Sequence, residues 1–144
     1  MYGGYGLIRK KRLVLTLVVI ITVSALIIYY TQVHLPSTTI SFGDVTVEEA
    51  KSLVESNVSL IIVDVRTREE YDSGHIEGAI LIPVSELEGR ITELSKEEEL
   101  LIYCRTGNRS SNSVNILKAN GYTKIFHMND GIIAWIQAGY PTVN

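Results

Sequence analysis

Cys104, the one cysteine of the chain, stands in YCRTGNRSSNSV, residues 103–114, directly after an apolar run and directly before a stretch with helical spacing. A thiol reacts as its thiolate, and its pKa falls at a helix N-terminus or beside arginine; the sequence supplies both here. Backbone amides of a short loop that closes into a helix cradle an anion, and Gly107 permits the tight turn that points them inward. Arg105 and Arg109 can add charge-assisted bonds to an oxyanion. The stretch therefore describes a nucleophile inside an anion site. A structural thiol is the competing reading, since free cysteine often packs as a small hydrophobe. The polar flank CRTGNRS is a poor wall for an apolar core.

Charge isolates the same stretch. The chain has 13 Lys and Arg against 16 Asp and Glu. Four of the basic residues are Arg9, Lys10, Lys11 and Arg12, so from Ser41 onward nine basic residues meet all sixteen acidic ones, a net of −7. That balance argues against nucleic acid or an anionic membrane surface as the partner of this region. Between Glu99 and Asp130 no acidic residue occurs, whereas Arg105, Arg109, Lys118 and Lys124 do, and the cysteine lies in this basic island. His34, His75, His127 and Cys104 show no close ligand spacing, so no metal site is expected. Asp64 and Arg66 flank a strand end, where an ion pair or a cap to a neighbouring loop is expected rather than catalysis. His75, in GHIEGA, reads as fold-forming, and Tyr71 and Trp135 as packing residues.

The elements that must position the cysteine alternate in type. Thr46 with Glu49 forms a capping box before AKSLVES, LIIVDV reads as a buried strand, and Thr67 with Glu70 caps a short helical turn at REEYDSG. AILIP is a brief strand, SELEGRITEL a helix and ELLIYC a strand. SSNSVNILKAN has helical spacing, KIFHM is strand-like, and GIIAWIQAG is a last helix ending at Gly139. Continuously apolar strands alternating with helices predict an α/β fold with a parallel sheet covered on both faces. Ligands in such sheets bind beyond the carboxyl ends of strands, where Cys104 falls.

The N-terminus reads differently. Leu13 to Tyr30, LVLTLVVIITVSALIIYY, is uncharged over 18 residues and as a helix spans about 27 Å. It predicts a transmembrane anchor over 13–30, with 1–12 as a basic cytoplasmic N-terminus, 31–40 as a linker and 41–144 as the domain. The cluster at 9–12, with no Lys or Arg afterwards until Lys51, places the domain on the extracytoplasmic side of the cell membrane. The alternatives are a signal peptide cleaved near Val23-Ser24-Ala25, giving a secreted domain, and a buried core helix.

Three pieces together, DVRTREEYDSGHIEGAILIP (64–83), YCRTGNRS (103–110) and MNDGIIAW (128–135), resemble a single-domain rhodanese, a sulfurtransferase family, over about residues 41–141. The resemblance implies a small parallel sheet flanked by helices, with the cysteine loop as the active site. It implies transfer of a sulfane sulfur from a small anion such as thiosulfate, through a persulfide on Cys104, to an external thiol or cyanide-like acceptor, with no cofactor. Carried over by position, Cys104 is the nucleophile, and Arg105, Thr106, Gly107, Asn108 and Arg109 hold the donor anion and the persulfide. Two features qualify the likeness. The family usually has two glycines where this chain has Asp130-Gly131. Cysteine-dependent phosphatases place arginine six positions after the cysteine, whereas Arg109 is five positions on and Ser110 is sixth, which leaves a phosphatase or arsenate reductase as the lesser enzymatic alternative. Inactive binding or sensing modules of the same family are the non-enzymatic alternative.

Overall fold

The structure, a computed structural model, describes residues 4–34 and 40–144, with side chains at 14–29 and 40–144. The chain divides into two units, Met1–Thr39 and Ile40–Asn144. In the first, α1 (Gly4–His34) is a continuous helix of 31 residues. Every described side chain in it, from Val14 to Tyr29, is exposed. The hydroxyls of Thr22 and Ser24 donate to the carbonyls of Val19 and Ile21, one turn back.

The transmembrane span expected over 13–30 is not found: among the described residues no helix is long and apolar enough to cross a membrane. The side chains of Leu13, Tyr30 and the basic cluster 9–12 lie outside the described residues, as does most of the expected linker.

The second unit runs β1 (Gly43–Val45), α2 (Val47–Ser56), β2 (Leu60–Asp64), α3 (Arg68–Asp72), β3 (Ile80–Leu81), α4 (Leu87–Arg90) with a 3₁₀ turn at Ile91–Glu93, β4 (Glu99–Tyr103), α5 (Asn108–Ala119), β5 (Ile125–Met128) and α6 (Gly131–Gln137). The strands form one parallel sheet in the order β1-β5-β4-β2-β3. β4 is central, and Leu100 to Tyr103 are fully buried. Successive strand residues point to opposite faces. Leu101 and Tyr103 pack with Leu53, Phe126, Ile132 and Trp135, while Leu100, Ile102 and Cys104 pack with Val63, Leu87, Val114 and Leu117. The period that puts Ile102 against α5 thus also puts the cysteine on the α5 side of the sheet.

Local chemistry explains most boundaries. Both capping boxes form: Glu49 N–H donates to Thr46 Oγ1 and Thr46 N–H to Glu49 Oε2, with Thr67 and Glu70 doing the same for α3. α5 begins two residues before the expected Ser110, because Gly107 at φ +94° turns the chain directly into the helix. The helix expected over 85–94 is instead a single α-turn and a 3₁₀ turn. Gly89 in its middle has the weakest helix propensity short of proline, and the Arg90 guanidinium bridges Glu86 and Glu93 across the break. β1 was not expected, since GDV has no apolar run to announce it.

Candidate active site

Cys104 follows the last residue of β4 and is only 1% exposed. Its sulfur accepts hydrogen bonds from the Gly107 N–H at 3.1 Å and the Ser110 hydroxyl at 3.3 Å. Burial pushes the thiol up. The Ser110 hydroxyl and the amides of Ser110, Thr106 and Gly107 together outweigh it and hold the pKa below its ordinary value, because each bond favours the charged form.

The loop takes its shape from contact with the start of α6. The N–H of Ile132 donates to the Cys104 carbonyl at 2.9 Å and that of Ile133 to the Arg105 carbonyl at 3.2 Å. These two helix-terminal donors draw the carbonyls away from the sulfur, and in a planar trans peptide the next amide points the opposite way. The approach is close enough to require glycine twice. A Cβ on Gly107 would lie 1.8 Å from the Asn129 carbonyl oxygen, and one on Gly131 would lie 2.4 Å from that of Arg105. Gly131 carries the positive φ of this turn, +68°, while Asp130 sits at φ −84° in ordinary helical space. The aspartate that replaces a glycine therefore strains nothing.

Arg109, in the first turn of α5, is held by Glu70 of α3 through two bonds of 2.6 and 2.8 Å. The Arg109 guanidinium holds the Glu70 carboxyl down at about 2, and the Arg109 pKa is raised chiefly by Glu70 and less by the charge on Cys104. Arg105 and Thr106 are exposed, as is Asn108, while Gly107 is buried. Arg105 stands with Arg66, Glu70, Ile132, Ile133 and Ile136 around an open pocket of about 310 Å³.

The remaining candidates have structural partners. Arg66 grips the fully buried Asp64 through Nε and Nη2 and donates to the Gly74 carbonyl, the expected ion pair. His75 stacks on Tyr71 with ring centroids 3.7 Å apart and bridges to Val143, and Trp135 donates to the Pro141 carbonyl. No metal-holding cluster occurs among the described residues.

Sequence reasoning passed over four residues. Glu70, legible in the sequence as a cap, also orients Arg109. Ser110 Oγ, beside the sulfur, lies 2.9 Å from His127 Nε2, and His127 Nδ1 lies 2.8 Å from Asp44 Oδ1. The polar residue inside the apolar strand IFHM was the one available signal for this chain.

A single thiol that accepts hydrogen bonds from its own loop, at the end of the central strand of a five-stranded parallel sheet, defines an α/β protein with a cysteine-loop site. Residues 46–138 match the rhodanese-like domain, and the chain belongs to that family. It is similar to a sulfurtransferase of Allochromatium vinosum, 31% identical over 101 residues, covering 70% of this chain and 94% of that protein. It is 37% identical over 95 residues to YrkF of Bacillus subtilis, named as a sulfur carrier protein; the match covers 66% of this chain and 51% of YrkF, so the chain spans about half of that relative. A rhodanese-related protein from Thermoplasma volcanium superposes with a TM-score of 0.65 at 29% identity, covering 71% of this chain and 98% of that one.

Proposed function

We propose that the domain is a sulfurtransferase that moves a sulfane sulfur from thiosulfate or a similar anion through a persulfide on Cys104. The thiolate attacks the outer sulfur of the donor; a new S–S bond forms, the old one breaks, and sulfite leaves with its electron pair. The persulfide is itself an anion, so the donors that stabilise the thiolate, Gly107 N–H and its neighbours, also stabilise the product. Arg109, fixed by Glu70, and Arg105 at the pocket mouth attract the dianionic donor. A thiol or cyanide then takes the outer sulfur and regenerates the thiolate. The acceptor comes from another molecule, because the chain has one cysteine and cannot resolve its own persulfide as an internal disulfide.

The carrying observation is the geometry at Cys104: a buried thiol at the end of the central strand accepts hydrogen bonds from the Gly107 amide at 3.1 Å and the Ser110 hydroxyl at 3.3 Å. Steady-state formation of thiocyanate from thiosulfate and cyanide tests the reading. Wild type turns over and Cys104→Ser does not; a folded wild type inert toward every sulfane donor would leave the domain as a binding module.

The exposed apolar surface of α1 supports a further part of the proposal, that this helix anchors the chain in the cell membrane with the domain on the extracytoplasmic side.

A further inference from the structure

We propose that Ser110, His127 and Asp44 form a proton relay that converts the Cys104 thiol to its thiolate, with His127 Nε2 as the terminal acceptor; this rests on Cys104 being the nucleophile.

The relay is built from three elements that meet beside the cysteine. Ser110 lies in the first turn of α5, His127 in β5 and Asp44 in β1, and the consecutive distances from sulfur to carboxylate are 3.3, 2.9 and 2.8 Å. Ser110 is fully buried and His127 is 6% exposed, so water does not compete along the inner part of the chain. Asp44 is reached across 83 residues of sequence, through the pairing of β1 with β5 that sets it opposite His127.

Hydrogen counting gives the relay a direction. A carboxylate only accepts, so Nδ1 of His127 carries a hydrogen toward Asp44. The Ser110 oxygen also lies 2.9 Å from the Gly107 carbonyl, which only accepts. With Cys104 as a thiolate, its sulfur likewise only accepts. In the proposed relay the donor to the Ser110 oxygen is then Nε2–H, and His127 is an imidazolium. With Cys104 as a thiol the pattern reverses: S–H donates to the Ser110 oxygen and the serine hydroxyl donates to a neutral Nε2. Passing between the two states moves the thiol proton to Ser110 and the serine proton to Nε2. One S–H bond breaks, one N–H bond forms, and no electrons change hands. The products are a thiolate and an imidazolium separated by one hydroxyl, the imidazolium facing the Asp44 carboxylate.

Ser110 touches the reacting sulfur and is a catalytic residue on this reading, whereas His127 and Asp44 act through it and are positioning residues. Asp44 is the charged group facing His127. Arg109, which interacts with the Cys104 charge, is paired with Glu70, Arg66 is paired with Asp64, and Arg105 is exposed; none of these bonds to the relay.

The test is the rate of Cys104 alkylation by iodoacetamide in the full chain, followed from about pH 5 to about 9, where imidazole and thiol titrate. His127→Gln keeps a polar side chain that cannot take the proton. It should move the midpoint up by about one unit and slow alkylation about tenfold near neutrality while leaving the alkaline plateau unchanged. Ser110→Ala should do the same, and the double variant should be no slower than either single one, because both break one chain. Asp44→Asn should slow the reaction about threefold, the size expected of an exposed ion pair.

A His127→Gln profile that superimposes on wild type overturns the relay. So does a lowered plateau with an unmoved midpoint, which marks a structural lesion. Should His127→Gln not fold, Asp44→Asn decides: its carboxylate is 70% exposed, and an unmoved midpoint there overturns the proposal equally. Alkylation needs no sulfur donor, so a failed persulfide assay with a shifted profile would sink the sulfur-transfer reading and leave the relay standing.

Discussion

At Cys104 two effects of opposite sign meet, and their balance decides whether the residue can act. Removal from water disfavours the thiolate, while the Ser110 hydroxyl and the loop amides favour it, and they prevail. The sequence suggested the loop amides and the arginines together as activating groups; the direct contacts are to Ser110 and the loop amides, with Arg109 turned to Glu70. That makes the loop shape, and hence Gly107, decisive. Gly107→Ala forces a Cβ into the Asn129 carbonyl at a backbone angle that alanine resists. The variant should lose roughly 2–4 kcal/mol of stability, the cost of strain plus overpacking, with thiosulfate turnover falling at least tenfold. A urea titration beside the turnover assay checks both. Unchanged values would mean that the loop does not need its present contact with residue 129.

At the scale of elements, Glu70 joins two jobs that lie far apart in sequence: it closes the capping box of α3 and fixes Arg109 of α5. Its folded pKa, about 2, lies below the ordinary 4.5. A depressed carboxylate contributes stability that is complete above the unfolded value and is lost as pH falls through the folded one. Glu70→Gln should therefore lower stability by roughly 0.5–1 kcal/mol near neutrality, since the pair is partly exposed. The gap to wild type should close as pH falls from 4.5 toward 2. Urea midpoints measured across that range give the answer, and a gap independent of pH would show that the ion pair contributes nothing. What could be foreseen here follows the distance over which each cause acts. The two capping boxes and the cysteine loop are contiguous stretches whose chemistry is complete within a few residues, and they were legible. The Glu70–Arg109 bond spans 39 residues, and the Ser110–His127 and His127–Asp44 bonds span 17 and 83. The first follows from the pairing of β2 with β4 and the other two from the alignment of β1, β5 and β4, registers that no local pattern reveals. β1 itself stayed hidden because an edge strand of three residues, GDV, has no room for periodicity.

At the scale of the whole molecule, an acidic domain with one basic loop is joined to a helix that exposes apolar side chains from Val14 to Tyr29. If α1 anchors the chain, the full-length protein should sediment with membranes and resist carbonate extraction, and protease added to intact cells should reach the domain. Recovery in the soluble fraction with the N-terminus intact would contradict the anchor while leaving the chemistry at Cys104 untouched. Everything in that chemistry converges on one atom, and the chain has only one thiol on which to form a persulfide. The most direct measurement is therefore the intact mass of the protein after incubation with thiosulfate. The account predicts a gain of one sulfur, about 32 Da, on wild type, reversed by cyanide and absent in Cys104→Ser. An unmodified mass for a folded, alkylatable wild type exposed to thiosulfate and other sulfane donors would contradict it.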